Sequence, residues 1–529
     1  MPDHSKSSLW ILLHSTLVIG VICSLFSGLR IATLNRPTVA SIEELLPQGE
    51  VHSVHFIGAI LLSLIAVAYL CSRVLRHHQS KQHNSYHSKR VTYHKVVTWA
   101  GIGLIGSALV SGWLLFSGTG ALPLVRTVHF YTALGLAIYL FLHAGVYLAQ
   151  SGVKALQYIL RPVAARQTWS IVFCSLLMTS LLGGWLFLRK VSLHPLPVVA
   201  MSPDTVIDID GYANEAQWGK AEILQISTDG GANFYQGSTD VRIKALQNGQ
   251  EIYFHITWQD PSESLAHLPL KKTNSGWKIQ QQGFDSFDER QYYEDKFAIL
   301  LSNHCDFAGA GTAHLGRSPL PDKPANWHGK GYHYSPTGQL HDLWHWKAVR
   351  TNKMVLADDN YIGAADKVRA GQRRYTAGYQ QDGKESGAYR MNWKWYSSEA
   401  ITPKRLPRDV NRLAPYQQTS QNQTLDWTIS WFDYQPYSKE SDQVPTGTLM
   451  PSVLYTSNRF EGDRADVRAK GIWKDGHWSL ELVRKLNTQS PQDIAIKDGI
   501  CMWVSAFDRA QVAHTRHTRA IQLHLGKTL

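Results

Sequence analysis

Long apolar runs crowd into the first 190 residues of this 529-residue chain and then stop. Stretches near 9–30, 52–73, 96–117, 127–150 and 168–188 each approach the roughly 20 residues a helix needs to cross a hydrocarbon core. About five membrane spans are therefore expected. The first run is too long for a signal peptide, lacks a small-residue cleavage site and carries His14 at mid-span, so it reads as retained. Beyond Lys190 the pattern changes to short alternating runs, and the mean hydropathy of −0.22 averages two environments.

The formal charge of +12 raises the question of nucleic acid, but the basic residues sit in short loops between apolar runs, where they orient a membrane protein. The segment between the second and third runs carries Arg73, Arg76, Lys81, Lys89, Arg90 and Lys95 with no acid, and Lys154, Arg161 and Arg166 follow the fourth. Both loops read as cytoplasmic. Residues 31–51 carry Glu43, Glu44 and Glu50 against Arg36 and read as external. The amino terminus is then inside a bacterial inner membrane, and everything after Lys190 is periplasmic.

Four histidines lie within the apolar runs, where ionisable side chains are costly and point to function: His14, His55, His129 and His143. The 14 residues from His129 to His143 rise about 21 Å in close to four turns, which places both rings on one face of one helix. By depth, His55 and His129 form an outer pair and His14 and His143 an inner pair, each suited to hold a haem iron between facing helices. Gly20, Gly58 and Gly135 are expected to leave room for the macrocycles. His52 rivals His55 three residues away, and His94 reads as solvated. The alternative is that these histidines are packing or interfacial residues.

Of the five cysteines, Cys23, Cys71 and Cys174 fall in apolar runs and read as small hydrophobes. No C-x-x-C-H occurs, so any haem is held non-covalently. Cys305 and Cys501 lie in the polar part and are able to form a disulfide in an oxidising compartment if the fold brings them together.

The segments "LWILLHSTLVIGVICSLFSGLRI", "VHFIGA" and "VHFYTALGLAIYLFLHAGVYL" resemble the dihaem cytochrome b subunits of membrane-bound formate dehydrogenases and nickel–iron hydrogenases over roughly residues 5–190. That resemblance implies two haem b groups and electron exchange with membrane quinone.

After the proline-bearing "RKVSLHPLPVVAMSP", taken as a linker over 191–202, runs such as "EIYFHITWQD", "DKFAILLS", "TLDWTISWF" and "HWSLELVR" alternate in the manner of strands. The chain as a whole reads as α + β: a transmembrane helical domain over 1–190 and an antiparallel β-sandwich over 203–529. "VIDIDGYANEAQWGKAE", "YYEDKFAILL", "DLWHWKAVR" and "VSAFDRAQVAHTRHTRAIQLHLG" resemble the haem-binding subunits of ethylbenzene dehydrogenase and its relatives, a β-sandwich family also related to carbohydrate-binding modules.

In haem-binding relatives the iron is typically held by a methionine shortly before the W-x-W-K run and by a late lysine. Here His333 and His517 fall nearest those places, with His314 and His514 as second choices, so the resemblance implies bis-histidine ligation of a third haem b. His304, His328, His341 and His345 crowd the same region, and surface histidines in a domain without cofactor are the other reading. Trp344 and Trp346 are expected to pack the core or wall the pocket. Adjacent Glu294 and Asp295 face opposite ways on a strand and cannot form a catalytic pair.

The resulting expectation is an electron conduit between the quinone pool and a periplasmic redox protein, with a molybdenum enzyme or another cytochrome as candidate partner. One rival is a haem-bearing anchor that presents a small-molecule or carbohydrate-binding module, against which the lack of a cytoplasmic output domain counts. The other is a direct periplasmic reductase, which requires an open iron site.

Overall fold

The structure is a computed structural model, and it describes residues 8–33, 39, 42, 45–46, 51–79, 89–117, 122–152, 193–286, 288–305, 313–314, 333–335, 339–366, 377–382, 389–417, 427–430, 432–455, 462–517 and 519–526. It divides into two units, Met1–Ser192 and Leu193–Leu529.

The first unit is helical: α1 (Ser8–Thr33), α2 (Val51–Gln79), α3 (Lys89–Ser117) and α4 (Leu122–Ser151). Three of these contain segments long and apolar enough to cross a membrane, Leu13–Ala32, Val96–Phe116 and Leu124–Val146, while the apolar part of α2 runs only Val54–Tyr69. The expected fifth span at 168–188 lies outside the described residues. α1 packs on α2, and α3 on α4. Val21, Leu62 and Leu136 are buried together, with Leu17, Leu25, Leu104 and Tyr139 against them. Ile19, Phe26, Trp99, Trp113, Tyr131 and Phe141 point outward. An apolar exterior around a small core is what a hydrocarbon solvent permits.

The second unit is built on one 14-stranded sheet. Its strands are β1 (His194–Ala200), β2 (Leu224–Asp229), β3 (Ser238–Gln247), β4 (Glu251–Gln259), β5 (Lys296–Ser302), β6 (Ala313–His314) and β7 (His333–Tyr334). They continue as β8 (His341–Lys347), β9 (Asp358–Asp366), β10 (Ala377–Gln381), β11 (Arg468–Lys474), β12 (His477–Lys485), β13 (Cys501–Phe507) and β14 (Ile521–Leu525). The order across the sheet is β11-β12-β4-β3-β1-β14-β13-β5-β8-β9-β10-β7-β6, with β2 on the free part of β3. β4 and β5 stand five places apart, which in a flat sheet would be about 24 Å. Yet the rings of Trp258 on β4 and Phe297 on β5 are 4.7 Å apart. The sheet therefore folds back on itself around a shared core that holds Trp258, Trp344, Trp346 and Trp478. A second, smaller core around Trp277, Tyr293, Trp427 and Met450 is enclosed by a five-stranded sheet and short ladders.

The sheet is mixed rather than purely antiparallel, because β1 pairs in parallel with both β14 and β3. β1 also occupies residues expected to form a linker. Pro195 and Pro197 argue against an interior strand, but pairing with β3 begins only at Val198, while His194–Val198 pair with β14. His194 N donates to Ala520 O at 2.8 Å on the β14 side, so the two prolines face the side that has no partner at those positions. Leu196 and Val198 between them are fully buried. A disulfide joins Cys305 and Cys501.

Candidate functional site

The helical unit brings His55 and His129 together. Their ring centres are 6.1 Å apart with planes perpendicular. His55 Nδ1 lies 3.1 Å from Ser24 O and 3.2 Å from Ser27 Oγ. A carbonyl only accepts, so Nδ1 carries the proton; Ser27 Oγ donates its own to Cys23 O at 2.6 Å and accepts from the ring. His129 Nδ1 meets Ser111 Oγ at 3.0 Å, and that hydroxyl donates to Ser107 O at 2.7 Å, which assigns the same tautomer. Both Nε2 atoms keep their lone pairs. Fixing one ring nitrogen so that the other is presented is the usual arrangement for a ligating histidine.

Two imidazoles holding one metal would have centres about 6 Å apart, with bonds of about 2 Å and each ring centre about 1.2 Å behind its nitrogen, close to the 6.1 Å between His55 and His129. Two glycines seat the rings. A Cβ on Gly28 would lie 2.9 Å from His55 Cε1, and one on Gly112 would lie 3.3 Å from His129 Cε1. The glycines expected to make room do another job: a Cβ at Gly20 would meet Leu62 at 3.2 Å, one at Gly135 would meet Leu104 at 3.3 Å, and one at Gly58 would strike the Ser24 side chain. They set helix-to-helix approach.

The two hairpins repeat one local design. Ser27-Gly28 on α1 faces Val54-His55-Phe56 on α2, and Ser111-Gly112 on α3 faces Val128-His129-Phe130 on α4. The duplicated S-G and V-H-F words were the signal in the sequence for the serines and glycines, and matching the two hairpins would have found them.

His14 and His143 are half-buried. Each lies one turn outside the helical core, beyond Leu17 on α1 and Leu140 on α4. His143 stacks on Tyr139, one turn back on its own helix, at 5.5 Å.

In the sheet unit, His333 pairs with His314 across β6 and β7, so the first and second choices for one ligand lie opposite each other in a two-residue ladder. Their side chains lie outside the described residues. His517 does not fit an axial role as placed. Its Nδ1 donates to Arg519 O at 2.7 Å, and its Nε2 accepts from Val504 N at 2.9 Å, so no lone pair is left for iron. The reason is topological: β14 pairs with β13 only at Cys501 and Met502, and the His517 ring takes the amide of Val504 where that ladder has ended. Burial lowers its pKa to about 4, partly opposed by the Arg519 carbonyl and aided by His194, so the ring is neutral. His514 Nδ1 likewise donates to a carbonyl, Thr515 O, at 2.8 Å. Trp344 and Trp346 are fully buried in the core, as expected of them. Glu294 and Asp295 point apart, the first to Arg350 and the second to Trp478 Nε1 at 3.2 Å.

Three helices long and apolar enough to cross a membrane, followed by a large β-sheet unit, make a helical-plus-β-sheet protein in which the helical unit brings two histidines together. The chain belongs to the ethylbenzene dehydrogenase family, whose profile matches residues 215–519. No curated protein matches it in sequence. Among solved structures, a protein from Bacteroides uniformis described as carbohydrate-binding aligns at 8% identity over 63% of this chain and 99% of its own, with a TM-score of 0.28. A family 9 carbohydrate-binding module from Caldicellulosiruptor kristjanssonii aligns at 10% identity and TM-score 0.22 in both its cellotriose and glucose complexes, over 63% of this chain and 95% and 97% of its own. Scores this low carry no argument about ligand.

Proposed function

We propose that this protein is a membrane-anchored b-type cytochrome that passes electrons between the quinone pool and a periplasmic redox partner. The observation that carries the reading is the His55–His129 pair, with ring centres 6.1 Å apart and each Nδ1 tied to a serine. When bound there, haem b supplies reversible one-electron transfer with no atom exchanged. The chain's own contribution is that His55 and His129 would hold the group through Nε2, with both tautomers fixed by Ser27 and Ser111. Two imidazoles on one iron would leave no place for an oxidant, which favours a conduit over a direct reductase.

The finer parts of the reading extend from there. His14 and His143 hold the inner haem, and five spans place the amino terminus in the cytoplasm and the sheet unit, a two-layered sandwich, in the periplasm. The Cys305–Cys501 disulfide accords with an oxidising compartment. Membership of the ethylbenzene dehydrogenase family supports a redox role for the sheet unit. A periplasmic molybdenum enzyme or cytochrome is the partner class. A pyridine haemochrome assay on the purified full chain tests the proposal: two haem b per chain is the expected result, three adds a site in the sheet unit, and none overturns it.

A further inference from the structure

Buried carboxylates in the sheet unit are treated in two ways. Glu294 accepts from the amides of Val349 and Arg350 at 2.7 and 2.9 Å and pairs with the Arg350 guanidinium. Asp358 pairs with Lys347, with Arg464 at 2.7 Å and with the Tyr389 hydroxyl at 2.6 Å. Such partners are what a buried charge requires.

The next residue, Asp359, is treated otherwise. It lies opposite Trp344 of β8, and Asp342 sits two residues earlier on that same face. Asp382, at the end of β10, donates its amide to Asp359 O at 3.3 Å. Three fully buried aspartates thus line one face of three neighbouring strands, where like charges repel. Asp493 joins them from the segment after β12. One oxygen from each of Asp342, Asp359 and Asp493 lies within 4.8 Å of the others. Among the described residues, the ion pairs into this group come from one cation, Arg484, which bonds Asp342 and lies 3.7 Å from Asp493.

Asp382 gives a separate indication. It stands outside that trio, within hydrogen-bond reach of the Asp493 carboxyl, is fully buried, and neither of its oxygens meets an N–H or hydroxyl donor. Both oxygens of Asp359 and one each of Asp342, Asp466 and Asp493 share that condition. Seven buried carboxylate oxygens therefore lack a donor.

We propose that Asp342, Asp359, Asp382 and Asp493 form a structural calcium site, with Asp466 at its margin. Oxygen-only donors select a hard cation, and calcium takes six to eight oxygens at about 2.3–2.6 Å, so its ligand oxygens lie within about 5 Å of one another, as one oxygen each from Asp342, Asp359 and Asp493 does. A cavity of about 280 Å³, lined by Asn303, His304, Gln339, Leu340, Asp493 and Lys497, adjoins the group and offers a route in. The bound ion would tie β8, β9 and β10 to the loop before β13.

A second acidic trio serves as internal control. Asp260, Asp295 and Asp508 also converge, but both oxygens of Asp295 already have donors: Ser264 N at 2.7 Å, Trp478 Nε1 at 3.2 Å and Arg509 N at 3.0 Å.

The experiment uses the full chain in detergent. Elemental analysis after purification in calcium-containing buffer should find one calcium per chain. Removal by EGTA should lower the melting midpoint by about 5 °C at calcium levels near 100 Kd, with recovery on adding calcium back. Asp382→Asn should weaken calcium binding at least tenfold by titration calorimetry, and Asp508→Asn should leave it unchanged. If wild type holds no calcium and its midpoint ignores both EGTA and added calcium, the carboxyls share protons and the proposal is wrong. Loss of binding in Asp508→Asn but not in Asp382→Asn overturns its location.

Discussion

His129 in the helical unit and His517 in the sheet unit are both removed from bulk water, yet they differ in what their second ring nitrogen does. His129 spends Nδ1 on a serine and keeps Nε2. His517 gives one nitrogen to a carbonyl and the other to an amide, and so becomes part of the backbone network. Depth within an apolar run suggested haem ligation for His129, and the family resemblance suggested it for His517. The hydrogen-bond partner of the nitrogen that would not touch a metal separates them.

The largest expected effect is on haem content. His55→Ala and His129→Ala should each remove the same haem, about one per chain by pyridine haemochrome, while His143→Ala removes a different one by its spectrum; two different losses from the first two variants would break the pair. Next comes Gly28→Val, whose added carbons collide with His55 and should abolish low-spin haem at that position while far-ultraviolet circular dichroism keeps its helical signal. Ser111→Ala acts more gently. It frees the His129 ring to rotate and should weaken haem retention about tenfold, measured by transfer to apomyoglobin.

His517→Ala probes the other side of the comparison. It leaves the buried Val504 amide without an acceptor and should cost about 1–3 kcal/mol by denaturant unfolding, with haem stoichiometry unchanged. A clear loss of low-spin haem would instead restore His517 as a ligand. The smallest effect is on pH dependence. His517 titrates at about 4 in the folded chain against 6.5 for a free histidine, so the unfolded state takes up the proton first. Its contribution is present above pH 6.5 and is lost as pH falls toward 4, and His517→Gln should flatten the stability curve in that window.

Much of this was legible. "EIYFHITWQD" and "DKFAILLS" became β4 and β5, because alternation or a continuous apolar run has few other uses. Of "TLDWTISWF", the described residues include the strand Thr428–Ile429, with Trp427 in the smaller core. β1 was hidden by two prolines whose missing donors matter only on a side with a partner, and sequence does not show sides. The His55–His129 pair was legible as a candidate site, but its serine partners were not, because Ser27 and Ser111 are ordinary helix residues until the facing ring is known. The aspartates at 342, 359 and 382 carry no sequence signal of their own; strand register puts them on one face.

The pairing of β1 with β14 also sets a timetable. His194 lies opposite Ile521, with 326 residues to be translated in between. At about 5–20 residues per second, roughly 16–65 s pass between the emergence of the two strands from the ribosome. Through that interval Leu196 and Val198 have no β14 beside them. A nascent chain held in this way must either keep β1 shielded by a chaperone or leave its sheet open until the final strand arrives.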